Sequence, residues 1–101
     1  MNKMQALKQL HALINVIEQF PDEANMITLI VNDSYKVFTE IHLYRGLEAV
    51  GNALGATVEV QMEDDYTNHE YNYQKSFVSY GEPTIEIFQL ERKALSEEAT
   101  A

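Results

Sequence analysis

The chain has 101 residues, with sixteen Asp and Glu against seven Lys and Arg, three His and no Cys, for a net charge of −9. Its length supports one hydrophobic core rather than two, and a hydrophobic content of 46% is that of a globular protein rather than a disordered acidic tail. The acidity excludes broad adsorption to nucleic acid or anionic lipid, which need a cationic footprint, and the missing Cys exclude disulfides, thiolate metal sites and cysteine nucleophiles.

Residues 1–20 read as an amphipathic helix. Leu7, Leu10, Ile14, Ile17 and Phe20 recur at spacings of three and four, and Leu13 and Val16 widen that stripe. Lys3, Lys8, Gln9, Asn15 and Glu18 fall largely outside it. Asn2 and Gln5 have the spacing of a capping box, and Pro21 ends the helix. Lys8, Gln9, His11 and Asn15 also interrupt the apolar stretch that a secretory leader needs. With no disulfide staples, a reducing cytoplasm is the expected compartment.

After the polar connection Pro21-Asp22-Glu23-Ala24-Asn25, the run Met26 to Val31 predicts a strand buried on both faces or nearly so. It is too short to span a bilayer. Asn32-Asp33-Ser34 is a turn cluster, and Tyr35 to Ile41 alternates as the second arm of a hairpin. Phe38, Ile41, Tyr44, Leu47, Val50 and Leu54 also fit a helical face, so whether residues 35–42 are strand or helix stays open. The change from strand to helix is placed near His42, with a helix over Leu43 to Leu54 and Gly55 as its C-terminal cap.

Ala56 to Met62 alternates cleanly, with Val58, Val60 and Met62 on one face. Glu63 to Asn72 then reads as a long loop or the tip of a long hairpin. Tyr73 to Tyr80 and Thr84 to Leu90 form two strands around Gly81-Glu82-Pro83, and their imperfect alternation predicts a bulge. Residues 93–101 are expected to fray as an acidic tail behind a single domain over 1–92. The order α-β-β-α-β-β-β gives an α+β two-layer sandwich, an antiparallel sheet of four to five strands with two helices on one face.

Catalytic signatures are absent from the sequence. There is no nucleophile elbow and no phosphate-cradling glycine loop, and His11, His42 and His69 read as a helix flank, an element boundary and a loop. Asp64, Asp65, His69 and Glu70 offer metal-ligating groups but match neither the calcium-loop pattern nor the two-histidine zinc motif, where Tyr73 stands in place of the second His. No metal or cofactor is therefore expected. The distinctive feature lies in residues 59–73: Glu59, Glu63, Asp64, Asp65 and Glu70 occur without a Lys or Arg, interleaved with Tyr66, Tyr71 and Tyr73. Tyrosines supply contact area at low entropic cost, while carboxylates steer a basic partner and pair with Arg. These eight residues are the candidate partner-binding surface; the bland alternative is a solvated hairpin whose tyrosines cover a sheet edge.

In length, acidity and lack of catalytic motifs the chain is similar to small phage-encoded inhibitors of host defence nucleases, anti-CRISPR proteins among them. That similarity is one of class and assigns no residue roles. It implies a non-enzymatic inhibitor engaging a basic, nucleic-acid-binding surface of a partner protein, with no direct contact to nucleic acid or membrane. Two rival expectations stand beside it. One is a homo-oligomer, a dimer for instance, paired through Met26–Val31 or the Thr84–Leu90 edge; the other is a small enzyme using His and carboxylate groups.

Overall fold

Asn2 and Gln5 start the first helix as their spacing predicts. The Asn2 side chain accepts from the Gln5 N–H and the Gln5 side chain accepts from the Asn2 N–H, both at 2.9 Å. Helix α1 (Lys3–Ile17) ends with two tightened turns, Gln19 N–H to Val16 O and Phe20 N–H to Ile17 O, before Pro21. The computed structural model describes residues 1–33, 37–64 and 71–94; for Val37, Glu63, Asp64, Tyr71, Asn72 and 92–94 only the backbone is described. The remaining elements are β1 (Asn25–Asp33), β2 (Val37–Arg45), α2 (Leu47–Leu54), β3 (Glu59–Asp64), β4 (Tyr71–Tyr80) and β5 (Ile85–Ala94). This is the expected element order, and both helices lie on one face of a five-stranded sheet.

The strand order is β1-β2-β5-β4-β3. Every neighbouring pair is antiparallel except β2 with β5, so the sheet is mixed rather than wholly antiparallel. The cause is α2, which carries the chain back along β2 and so makes β3 run in the same direction as β2. Two reversals later β5 has that direction too, and it inserts beside β2. Burial explains the insertion: Ile85 and Ile87 are fully buried, and burying each such side chain stabilises by about 1.5–3 kcal/mol. Thr84–Leu90 is therefore not an edge, since β5 is bonded on both sides.

Four further expectations need correction. Strand β2 runs on to Arg45, so Leu43 begins no helix. Thr39, Ile41 and Leu43 alternate into the core at 1%, 0% and 1% exposure, and β2 has partners on both sides that satisfy its backbone. The run Met26 to Val31 is not buried on both faces. It lies in the edge strand β1, where Met26, Ile27 and Leu29 are exposed. The β4–β5 register is unbroken from Tyr71↔Ala94 to Tyr80↔Ile85, and the irregular pair is instead β1 with β2, near Met26. Phe77 and Phe88 spoiled the alternation because they face each other on the sheet side away from the helices, which is aromatic in its own right. Pairing also continues past Arg92 to Ala94; residues 95–101 lie outside the described ones.

The expected stripe on α1 is rotated. Its buried line is Gln9, Leu13 and Val16, whereas Leu7, Leu10 and Ile14 are exposed. Gln9 is held in the interior by Thr39, whose hydroxyl donates to Gln9 Oε1 at 2.6 Å. Thr39→Val should cost about 1–3 kcal/mol by stranding the buried Gln9 amide. Pairing it with Gln9→Leu should recover most of that loss, as read in urea denaturation.

Gly46 makes the turn from β2 into α2. Its φ is +97°, and a Cβ there would meet Ala24 Cα and Glu23 O at 2.8 Å. Gly55 also has positive φ, +66°, but nothing lies within 4 Å of its would-be Cβ. Gly55→Ala should therefore cost about 1 kcal/mol of backbone strain. Gly46→Ala should cost clearly more, about 2–3 kcal/mol, because the clash is with backbone that cannot swing away. Equal losses in denaturant titrations of the two variants would contradict this.

Candidate functional site

The described ends of the acidic, tyrosine-rich stretch are paired strands, residues 59–64 in β3 and 71–73 in β4, while 65–70 lie outside the described residues. β3 pairs with β4 through Glu59↔Phe77, Glu63↔Tyr73 and Asp64↔Asn72. β3 is also the second edge of the sheet, with its outer backbone rim unpaired by any described strand. Of the eight candidate residues, Glu59 is exposed on β3 and Tyr73 is half-buried on β4. Glu63 and Asp64 are β3 positions, and Tyr71 is a β4 position opposite Ala94. Asp65, Tyr66 and Glu70 lie outside the described residues. Pairing thus brings Glu63 alongside Tyr73 and places Glu59 on the same edge strand.

Two residues of this edge were not in the candidate set. Val60 and Met62 are 61% and 46% exposed. Their alternation with polar neighbours reads as a core face, and by register they do lie on the helix-bearing side, since Val60 opposes Ser76, two residues before the buried Val78. They are exposed because α2 packs on β4 and β5 without reaching this part of β3. Apolar residues alternating with acidic ones on a strand would have flagged a binding edge only if its position in the sheet had been known.

Beside this edge, a cleft of about 510 Å³ opens where α2 and the residues after it meet the sheet. Glu48, Asn52, Thr57, Ser76 and Gln89 give it a polar lining, and among the described residues no Lys or Arg lines it. Gln89 has a structural duty there, for its Oε1 accepts the Leu47 N–H at 3.2 Å. This bond substitutes for the N-cap side chain that Gly46 lacks. The cleft can accept hydrogen bonds through its carboxylate and amide oxygens, which suits guanidinium or ammonium groups.

The sheet face away from the helices is organised around Lys75. Its ammonium pairs with Glu86 at 2.7 Å and lies over the rings of Phe88 and Phe77, 5.0 and 5.7 Å from their centroids. His42 stacks on Phe88 from the other side at 4.6 Å. His42 is thus on the open face, His11 is exposed on α1 on the opposite side of the sheet, and His69 lies outside the described residues. Among the described residues no group of three His, Asp or Glu is placed to hold a metal ion. No described helix is long and apolar enough to cross a membrane.

Lys75→Ala removes the charge partner of a part-buried carboxylate and both ring contacts, and should cost about 1–2 kcal/mol. Lys75→Arg should retain most of that stability, measured by thermal unfolding at low salt.

Comparison with known proteins finds no match to a family model, to a curated protein or to a solved structure. The chemistry of the surfaces is therefore what bears on function.

Proposed function

We propose that the chain is a non-enzymatic protein-binding module that acts in the cytoplasm. Its β3 edge and hairpin engage a basic, nucleic-acid-binding groove of a partner protein and so inhibit that partner. The observation carrying this reading is the β3 edge itself: an edge strand whose rim no described strand pairs, Glu59 and Glu63 at positions on one face, and Val60 and Met62 exposed on the other.

Each component has a distinct physical role. The strand rim offers backbone groups for pairing, which is the basis of strand-addition recognition. Val60 and Met62 supply apolar anchors on the helix-bearing side of the edge. Glu59, Glu63, Asp64, Asp65 and Glu70 supply long-range attraction to cations and charge-assisted bonds to Arg. The adjoining cleft adds acceptors and no opposing cation. A groove evolved to hold phosphates presents the complementary charge.

The test is photo-crosslinking from exposed Gln61 in an extract of the native host, followed by titration of the captured protein. The captured protein should be basic, should release the chain when duplex or single-stranded nucleic acid is added, and should lose activity on nucleic acid when bound. Affinity should fall steeply as ionic strength rises. The combined change Glu63→Ala, Asp64→Ala and Asp65→Ala should weaken binding roughly 10- to 100-fold, equivalent to about 1.4–2.8 kcal/mol, with circular dichroism unchanged. Unaltered affinity in that variant would sink the proposal.

A further inference from the structure

The opposite edge of the sheet differs in kind. β1 is nine residues long, contains no Lys, Arg or Pro, and leaves its outer rim unpaired by any described strand. Apart from the irregularity near Met26, such an edge carries none of the Lys or Pro residues that usually guard against pairing with another chain. Above it, α1 exposes an apolar flank made of Leu7, Leu10 and Ile14, at 41%, 45% and 53%. We infer that this face binds a second copy of the chain, β1 against β1 and α1 against α1, about a two-fold axis.

The topology sets the two features side by side. α1 runs antiparallel to β1, for the N-terminal ammonium pairs with Asp33 at the far end of that strand. β2, α2 and β3 form a crossover between strands of like direction, which takes the right-handed sense. In that frame the right-handed turn of α1 carries Leu10 and Ile14 toward the free edge of β1 rather than toward α2. Leu29, opposite Ile41 in register and 48% exposed, lies on the same side of the sheet beneath them. A two-fold axis perpendicular to the sheet then joins the strands antiparallel and brings the two α1 flanks together over the seam.

Area and charge both select a second copy as the occupant. The exposed parts of Leu7, Leu10, Ile14, Met26, Ile27 and Leu29 come to on the order of 500 Å² of apolar surface, at the upper end for any patch on a monomer. With the strand rim added, the face is of the size that a stable interface buries, about 800 Å² per partner. Its charged groups are Lys3, Lys8 and the N-terminal ammonium against Glu18 and Asp33, which nearly balance, while the chain as a whole carries −9. Two copies therefore meet here without the repulsion that contact through the β3 edges would bring.

Sedimentation of the full chain over a wide concentration range tests this, independently of the β3 reading. The wild type should sediment as a dimer of the 11.6 kDa chain. Leu10→Glu with Ile14→Glu, and separately Leu29→Lys, should weaken self-association at least tenfold while leaving the circular dichroism native, since all three positions are solvent-facing in the monomer. Should a variant misfold, amide exchange on the wild type decides: protection of β1 amides must increase with concentration. A wild type that stays monomeric, a dimer insensitive to both variants, or one lost only on Val60→Lys with Met62→Lys would each overturn the inference.

Discussion

A helix advances about 1.5 Å per residue and a strand about 3.3 Å, and this mismatch governs the molecule. The eight residues of α2 cover about 12 Å of sheet, whereas β4 and β5, at ten residues each, extend about 33 Å. The two helices seal the centre, where β2 and β5 lie side by side and Ile41, Ile85 and Ile87 are fully buried. Beyond that centre no described helix covers the sheet. The exposed Val60 and Met62, the hairpin that carries the carboxylates, and the cleft against α2 are all consequences of a helical layer shorter than the sheet beneath it.

The same limit accounts for the aromatic sheet face. With both helices on one side, no described element covers the other, so its residues protect one another. They do so through the His42–Phe88 stack and through Lys75, whose stem and charge are shared among Phe77, Phe88 and Glu86. A half-buried ammonium over two rings is compatible with water in a way that a bare leucine patch is not. The consequence is a face on which the Lys75 ammonium is already committed within the fold.

Local signals were legible in the sequence wherever the relevant physics was itself local. The Asn2–Gln5 box, the stop before Pro21, the Gly55 cap and the β3 alternation follow from interactions within a few residues, and all are present. Signals that depended on what lies overhead were not legible. Leu7, Leu10 and Ile14 form a better apolar stripe than Gln9, Leu13 and Val16, yet the latter face the sheet, where Thr39 supplies a buried partner for Gln9. No spacing rule contains that bond. Likewise the helical spacing from Phe38 to Leu54 competed with a true strand alternation through Leu43, and the competition was decided by β5, more than forty residues away, pairing with β2. The candidate carboxylates could be read directly from charge, whereas Val60 and Met62 could not, because strand order alone makes them accessible.

The two edges of the sheet divide the molecule's interactions between them. β1 joins an apolar strand to a helix flank, the two together nearly balanced in charge, and β3 joins a strand to clustered carboxylates. Like charge disfavours β3 meeting β3, while little electrostatic attraction draws a basic groove to the β1 face. Pairing through β1 would consequently leave β3 free and place the two copies' acidic edges at opposite ends of one continuous sheet. Two identical binding edges held at a fixed separation convert a second binding event into an intramolecular one, provided the partner presents two grooves at a matching span. An acidic edge of modest affinity would then gain occupancy from the apolar edge on the far side of the same sheet, without any new contact to the partner.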